Sequence, residues 1–136
     1  MIVLDVNAAI AMLFNTEEGG ALLWLKLESE ETIAPSLFFA ELAHVLPKYS
    51  RQQGFTPEEA RDLAVDAAAL VDRFVDDSEL WMEAMGEAMR LGHSSYDMFY
   101  LVLARRQGAT LFTLDRKLQR LCAKAGVSCV WLEDMT

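Results

Sequence analysis

Short, nearly continuous apolar runs alternate along this chain with longer stretches of helical character. The runs Ile2–Asp5, Thr32–Ala34, Asp72–Val75, Thr110–Thr113 and Ser128–Trp131 predict five strands, the apolar ones reading as strands covered on both faces. Helix signals fall between them. Thr16-Glu17-Glu18 reads as a cap with acids in the first turn. Ser36, after Pro35, opens a helix that carries Glu41. Thr56-Pro57-Glu58-Glu59 combines a Thr cap, a proline at the first helical position and a Glu three residues after the cap. Asp77 or Ser78 starts a helix running to about Gly92, Ser94 starts one ending near Gly108, and the last follows Asp115 and ends at Gly126. No repeat, low-complexity stretch or linker interrupts the order. The expected fold is α/β: a single domain over 1–136 with a small, mostly parallel central sheet flanked by helices.

Four carboxylates break the apolar pattern. Asp5 ends Ile2-Val3-Leu4, Glu41 lies inside Leu37-Phe38-Phe39-Ala40-Glu41-Leu42-Ala43, Asp97 opens Met98 to Leu103, and Asp115 follows Thr110 to Leu114. A lone buried carboxylate is costly unless it is paired, hydrogen-bonded or bound to metal. Four of them on core-forming segments point to one acidic pocket, whose natural occupant is a hard divalent cation. In parallel α/β sheets sites form outside the carboxyl ends of the strands. That topology places Asp5 and Asp115 on one edge of the sheet, with helical Glu41 and Asp97 reaching it from above. Plainer readings exist for three of the four. Asp115 can cap the last helix, Ser94 and Asp97 can form a variant capping box, and Asp5 can cap a helix starting near Asn7. Glu41 is harder to dismiss. Its helical neighbours are Leu37, Phe38, His44 and Val45, a largely apolar face that would desolvate it and raise its pKa. Asn7, two residues after Asp5, and Thr113, two before Asp115, add neutral oxygens able to orient carboxylates or water.

Composition narrows the picture. The length of 136 residues, 53% of them apolar, suits one hydrophobic core. A formal charge of −9 argues against a broad electrostatic grip on nucleic acid and leaves room for a local one. Basic residues gather late, at Arg105, Arg106, Arg116, Lys117, Arg120 and Lys124, most simply as solvated helix faces. Cys122 and Cys129 lack zinc-site spacing and read as small core residues in a reducing compartment. His44 and His93 read as structural or exposed. No apolar run reaches the roughly 18–20 residues that span a bilayer, and Met1-Ile2-Val3-Leu4-Asp5 does not resemble a secretory signal, so a cytoplasmic protein is expected. Ala60–Leu70 and Trp81–Met89 carry more apolar side chains than a thin core needs. Trp24, Phe55, Trp81, Met82 and Met85 are candidates for a shared surface.

The ordered set of motifs resembles the PIN domain family. Leu4-Asp5-Val6-Asn7-Ala8-Ala9-Ile10 is similar to that family's opening strand, aspartate and Ser/Asn turn, and Pro35 through Leu42 to its proline followed by a helical Glu. Tyr96-Asp97 through Leu101, Ala104-Arg105-Arg106, Gly108 and Leu111 through Leu118 resemble the stretch holding the third and fourth acids. Val6 and Met98 stand where smaller residues are common, and all four acidic positions are present. The resemblance implies an endoribonuclease dependent on Mg²⁺ or Mn²⁺, similar to the VapC-like toxins of type II toxin–antitoxin pairs. Asp5, Glu41, Asp97 and Asp115 would be its catalytic and metal-holding residues, with Asn7 and Thr113 in support. Of these, Asp5 and Asp97 are expected as principal ligands, Glu41 as binding metal through water or positioning the nucleophile, and Asp115 as completing a second metal position. Arg116 and Lys117 could meet RNA phosphates at the rim. Cleavage would leave a 5′-phosphate and a 3′-hydroxyl. A homodimer and a small antitoxin partner are also implied. The alternatives are a catalytically weak PIN-like binding module and a non-toxin RNA-processing protein. An aspartyl-phosphate phosphatase fits poorly, because its second aspartate would fall at Asn7.

Overall fold

The computed structural model describes residues 1–14, 16–27 and 31–130. Four strands form one sheet: β1 (Ile2–Leu4), β2 (Thr32–Pro35), β3 (Arg73–Val75) and β4 (Thr110–Phe112), in the order β3-β2-β1-β4 and parallel throughout. β1 is central, with Ile2 opposite both Thr32 and Thr110, and all three of its residues are buried. Burial on both faces explains why this strand reads as an unbroken apolar run. The expected fifth strand contracts to a single parallel bridge between Cys129 and Leu111, and Trp131 lies outside the described residues. Leu111 N–H donates to Ser128 O (2.8 Å) and Val130 N–H to Leu111 O (3.1 Å), one residue's worth of ladder.

The helices are α1 (Val6–Leu13), α2 (Glu17–Leu27), α3 (Leu37–Gln53), α4 (Pro57–Ala69), α5 (Trp81–Leu91), α6 (Ser95–Gln107) and α7 (Arg116–Ala125). The start of α4 is a full capping box: Thr56 Oγ1 accepts from Glu59 N–H and Glu59 Oε1 from Thr56 N–H, both at 3.1 Å. The helix expected from Asp77 or Ser78 is split. Asp77–Glu79 form a 3-10 turn capped by Asp76, and α5 begins only at Trp81. Gly19 lies against the Ala11 carbonyl, where a β-carbon would overlap the backbone, so α2 can pack on α1 only with glycine there.

α6 is the central helix. Met98 and Tyr100 to Ala104 are buried in sequence, because the helix has neighbours on nearly every side. Its first turn therefore sits at the boundary of the core, at the sheet edge where β1 and β4 end. Among the described residues no helix is long and apolar enough to cross a membrane.

Candidate active site

Asp5 follows β1 directly and caps α1, so its carboxylate is held at the carboxyl edge of the sheet. Oδ1 accepts from Val6 N–H (2.8 Å) and Oδ2 from the Thr113 hydroxyl (2.8 Å). The residue is only 6% exposed. Burial pushes its pKa up to about 7, and the charge of Glu41 adds to the effect. The two hydrogen bonds offset this only in part.

Glu41 reaches the same edge from α3. Its Oε1 accepts from the Tyr100 hydroxyl at 2.6 Å, which satisfies the half-buried carboxylate in the way its apolar surroundings require. Burial still raises its pKa against the pull of that bond, with the charge of Asp97 adding to the rise. The Tyr100 phenol is held far above its ordinary value, by burial first and then by the charges of Asp5 and Glu41, so it stays a donor.

Asp97 lies in the first turn of α6 and takes a 2.6 Å hydrogen bond from His93 Nε2. Ser94 makes no side-chain capping bond, so the Ser94–Asp97 capping box does not form. Asp115 does cap a helix, accepting from Lys117 N–H (2.9 Å) and Leu118 N–H (3.2 Å) at the start of α7. Capping accounts for one carboxyl oxygen, Oδ1, and the residue also faces the cavity shared with the other acids.

The four acids line one cavity of about 170 Å³, together with Val6, Asn7, Ile10, Val45 and Tyr49. Thr113 stands behind it. Its hydroxyl donates to Asp5 and accepts from Asp115 N–H (3.1 Å), while Asn7 Oδ1 accepts from Leu114 N–H (3.0 Å). Asn7 and Thr113 thus tie the end of β1 to the turn after β4. Gln119 Nε2 secures that turn from below by donating to Thr113 O (2.8 Å). Arg116 and Lys117 are exposed at the start of α7 and do not line the cavity.

Among the described residues no basic side chain lines this cavity. Buried carboxylates with raised pKa values and no cation of their own form an all-oxygen donor set that fits a hard divalent cation. Among the described residues, no three His, Cys, Asp or Glu side chains converge closely enough to hold an ion directly.

Tyr100, His93 and Gln119 belong to the site and were not singled out from sequence as its members. For the first two a signal exists: His93 and Tyr100 stand four before and three after Asp97, the spacing of one helix face. Of the basic cluster, Arg105 and Arg106 are ion-paired, Arg105 half-buried and Arg106 still exposed. Arg105 binds Glu83 and Glu87, and Arg106 binds Glu83, across the α5–α6 contact.

The PIN domain family model matches residues 2–124. The chain belongs to the PIN domain family. No curated protein sequence matches it significantly. Among solved structures it is similar to PAE2754 from Pyrobaculum aerophilum, with a TM-score of 0.66, 23% identity, and coverage of 86% of this chain and 81% of that one. It is also similar to VapC20 of Mycobacterium tuberculosis, described as a sarcin-ricin loop cleaving toxin, with a TM-score of 0.63 and 18% identity over 89% of this chain and 95% of that one. FitAcB from Neisseria gonorrhoeae gives a TM-score of 0.62 and 16% identity over 96% of this PIN domain and 97% of its own chain. At these identities the likeness establishes the fold: a four-stranded parallel sheet flanked by helices.

Proposed function

We propose that this PIN domain is a Mg²⁺- or Mn²⁺-dependent endoribonuclease of the cytoplasm that acts as the toxin of a toxin–antitoxin pair. The observation that carries the reading is the convergence of Asp5, Glu41, Asp97 and Asp115 on one cavity without a cationic side chain among its described lining residues. Asp5 and Asp97 are the principal ligands, with Glu41 and Asp115 completing the anionic wall. A bound divalent ion would supply charge neutralisation at the phosphate and activation of water. The chain's own residues do the positioning. Thr113 and Val6 N–H fix both oxygens of Asp5, Tyr100 fixes Glu41, and His93 fixes Asp97. With three carboxylates already oriented, little side-chain freedom is lost when an ion and a phosphate arrive.

The RNA has a path to this cavity. Glu41 and Val45 also line an adjoining groove of about 440 Å³ with Leu37, Ala40, His44 and Tyr96. Tyr96 is 61% exposed and offers an aromatic face on which an unpaired base can stack. Arg116 and Lys117, exposed directly after Asp115, are the residues that would meet RNA phosphates.

The assembly is a homodimer. Trp81, Met82, Met85 and Met89 leave an apolar stripe exposed on α5, and Trp24 does the same on α2. Phe55 leaves the set of surface candidates, because its ring packs on Phe14 at 5.9 Å. A toxin of net charge −9 suits an antitoxin that brings a basic segment. The test is cleavage of a labelled RNA by the purified chain in Mn²⁺, in Mg²⁺ and in EDTA. Cleavage confined to the metal-containing reactions, ending in a 5′-phosphate, supports the proposal. Cleavage that survives EDTA removes it.

A further inference from the structure

The turn between α5 and α6 brings a buried imidazole against Asp97. Gly92 takes the left-handed conformation (φ 62°) that ends α5, and His93 N–H returns to Ala88 O at 3.2 Å. The backbone of His93 is thereby fixed before α6 begins. Its side chain is only 6% exposed, and Nε2 lies 2.6 Å from Asp97 Oδ2. Nδ1 is buried as well. Among the described residues it is the one buried side-chain nitrogen or oxygen without a hydrogen-bond partner.

That orphaned atom selects the tautomer. A neutral imidazole carries one N–H and one lone pair. With the proton on Nδ1, a donor would be buried unpaired, and the bare Nε2 would face a carboxylate oxygen at 2.6 Å. With the proton on Nε2, the N–H meets the carboxylate and only a lone pair is left without a partner. The other anchors of the cavity are likewise neutral donors. Asp5 accepts from Val6 N–H and the Thr113 hydroxyl, Glu41 from the Tyr100 hydroxyl, and Asp115 from Lys117 and Leu118 N–H.

We propose that His93 is a positioning residue of the metal site, which in its Nε2–H tautomer holds Asp97 by one oxygen without neutralising it. The imidazole occupies Oδ2, and Oδ1 and the full negative charge are left for the cation. The inference rests on the metal-dependent nuclease reading and deepens it. A lysine or arginine in this place would orient Asp97 and cancel its charge. A leucine would fill the space and leave the carboxylate free to turn. His93 acts through Asp97, and donors placed behind a metal ligand typically govern roughly 10–100-fold of metal affinity.

Two measurements on the full chain test this role. The first needs no metal. It is the long-range proton–nitrogen NMR spectrum of the metal-free wild type at neutral pH, with the His93 signals identified by their loss in His93→Gln. The expected pattern is a protonated Nε2 and a bare Nδ1. A proton on Nδ1 would overturn the proposal and leave the nuclease reading standing. The second is Mn²⁺ titration of wild type, His93→Gln, His93→Asn and His93→Leu, each checked for folding by metal-free melting. The glutamine amide nitrogen stands as many bonds from Cα as the imidazole Nε2, so His93→Gln should bind nearly as tightly as wild type. His93→Asn, whose amide ends at the place of Nδ1, and His93→Leu should bind about 10–100-fold more weakly while still melting near the wild-type temperature. Cleavage by His93→Leu should fall at limiting Mn²⁺ and recover as Mn²⁺ is raised, which loss of packing alone does not produce. A folded His93→Leu protein that binds Mn²⁺ as tightly as wild type, or a His93→Gln protein as weak as His93→Leu, would overturn the proposal alone. A wild type that binds no Mn²⁺ at millimolar concentration would remove both the proposal and the reading beneath it.

Discussion

Two groups of acids in this molecule behave oppositely. On the α5–α6 face, Glu83 and Glu87 meet Arg90, Arg105 and Arg106 in a ladder of ion pairs at 2.7–3.2 Å. The Arg90 hydrogen bond, with help from Arg105, brings Glu87 down to about 2. Burial alone would raise Glu83, but hydrogen bonds from Arg105 and Arg106 outweigh it and its pKa falls. At the carboxyl edge of the sheet, burial raises Asp5 and Glu41 instead, and their acidic neighbours add to the rise. Arginines pair with the first group, whereas among the described residues none lines the cavity of the second. Acids that are already neutralised serve to dock helices. Acids left unneutralised inside a cavity are the ones to which the proposed function assigns a cation from outside.

The strongest way to break this contrast is through pH. In metal-free protein the folded Asp5 holds its proton up to about pH 7, while the unfolded residue gives it up near 3.8. The native state therefore binds the extra proton between those values. The contribution of Asp5 to stability should be full below about pH 4 and fall as pH rises to about 7, by about 4 kcal/mol. Denaturant midpoints in EDTA should show that decline, Asp5→Asn should flatten it, and saturating Mn²⁺ should reverse it at neutral pH. A flat wild-type profile would mean that Asp5 is not stored as a strained anion.

The next effect is on activity. Asp97→Asn keeps the shape of the side chain and removes its charge. RNA cleavage should fall at least as far as the 10–100-fold typical of losing a group beside a metal ligand. Metal-free melting should stay unchanged or rise, since like-charge repulsion is relieved. A variant that cuts at the wild-type rate would reduce Asp97 to a partner for His93. Tyr100→Phe should have a smaller effect. It leaves the Glu41 carboxylate without its donor and should cost about 1–2 kcal/mol of stability, measured by denaturation at neutral pH.

How far the sequence carried the reading can be judged residue by residue. The acids were legible because each interrupts an apolar run, and local pattern alone exposes that conflict. Asp5 and Asp115 were placed correctly on one edge because parallel topology dictates it. Tyr100 was not recognised as the partner of Glu41, because the two are 59 residues apart and meet only once α3 has packed on α6. Arg105 and Arg106 read as solvated because their pairing depends on which face α5 turns toward α6. The segment at 128–131 has strand composition, yet in the described residues it pairs only at Cys129.

The smallest effect belongs to the other side of the comparison. Arg105→Met should cost about 1 kcal/mol or less, because the pairs are partly exposed, and that cost should shrink at high salt. Cleavage should be unaffected. Loss of activity in a folded Arg105→Met protein would show that the two acidic regions are not independent.

The most direct test of the unneutralised pocket is Mn²⁺ binding itself, followed by calorimetry at neutral pH on the wild-type chain and on Asp97→Asn. Saturable binding by the wild type, with release of protons from Asp5 and marked weakening in the variant, is the expected result. A folded wild-type protein that binds no Mn²⁺ or Mg²⁺ at millimolar concentration, or an Asp97→Asn protein that binds as tightly as the wild type, would contradict it.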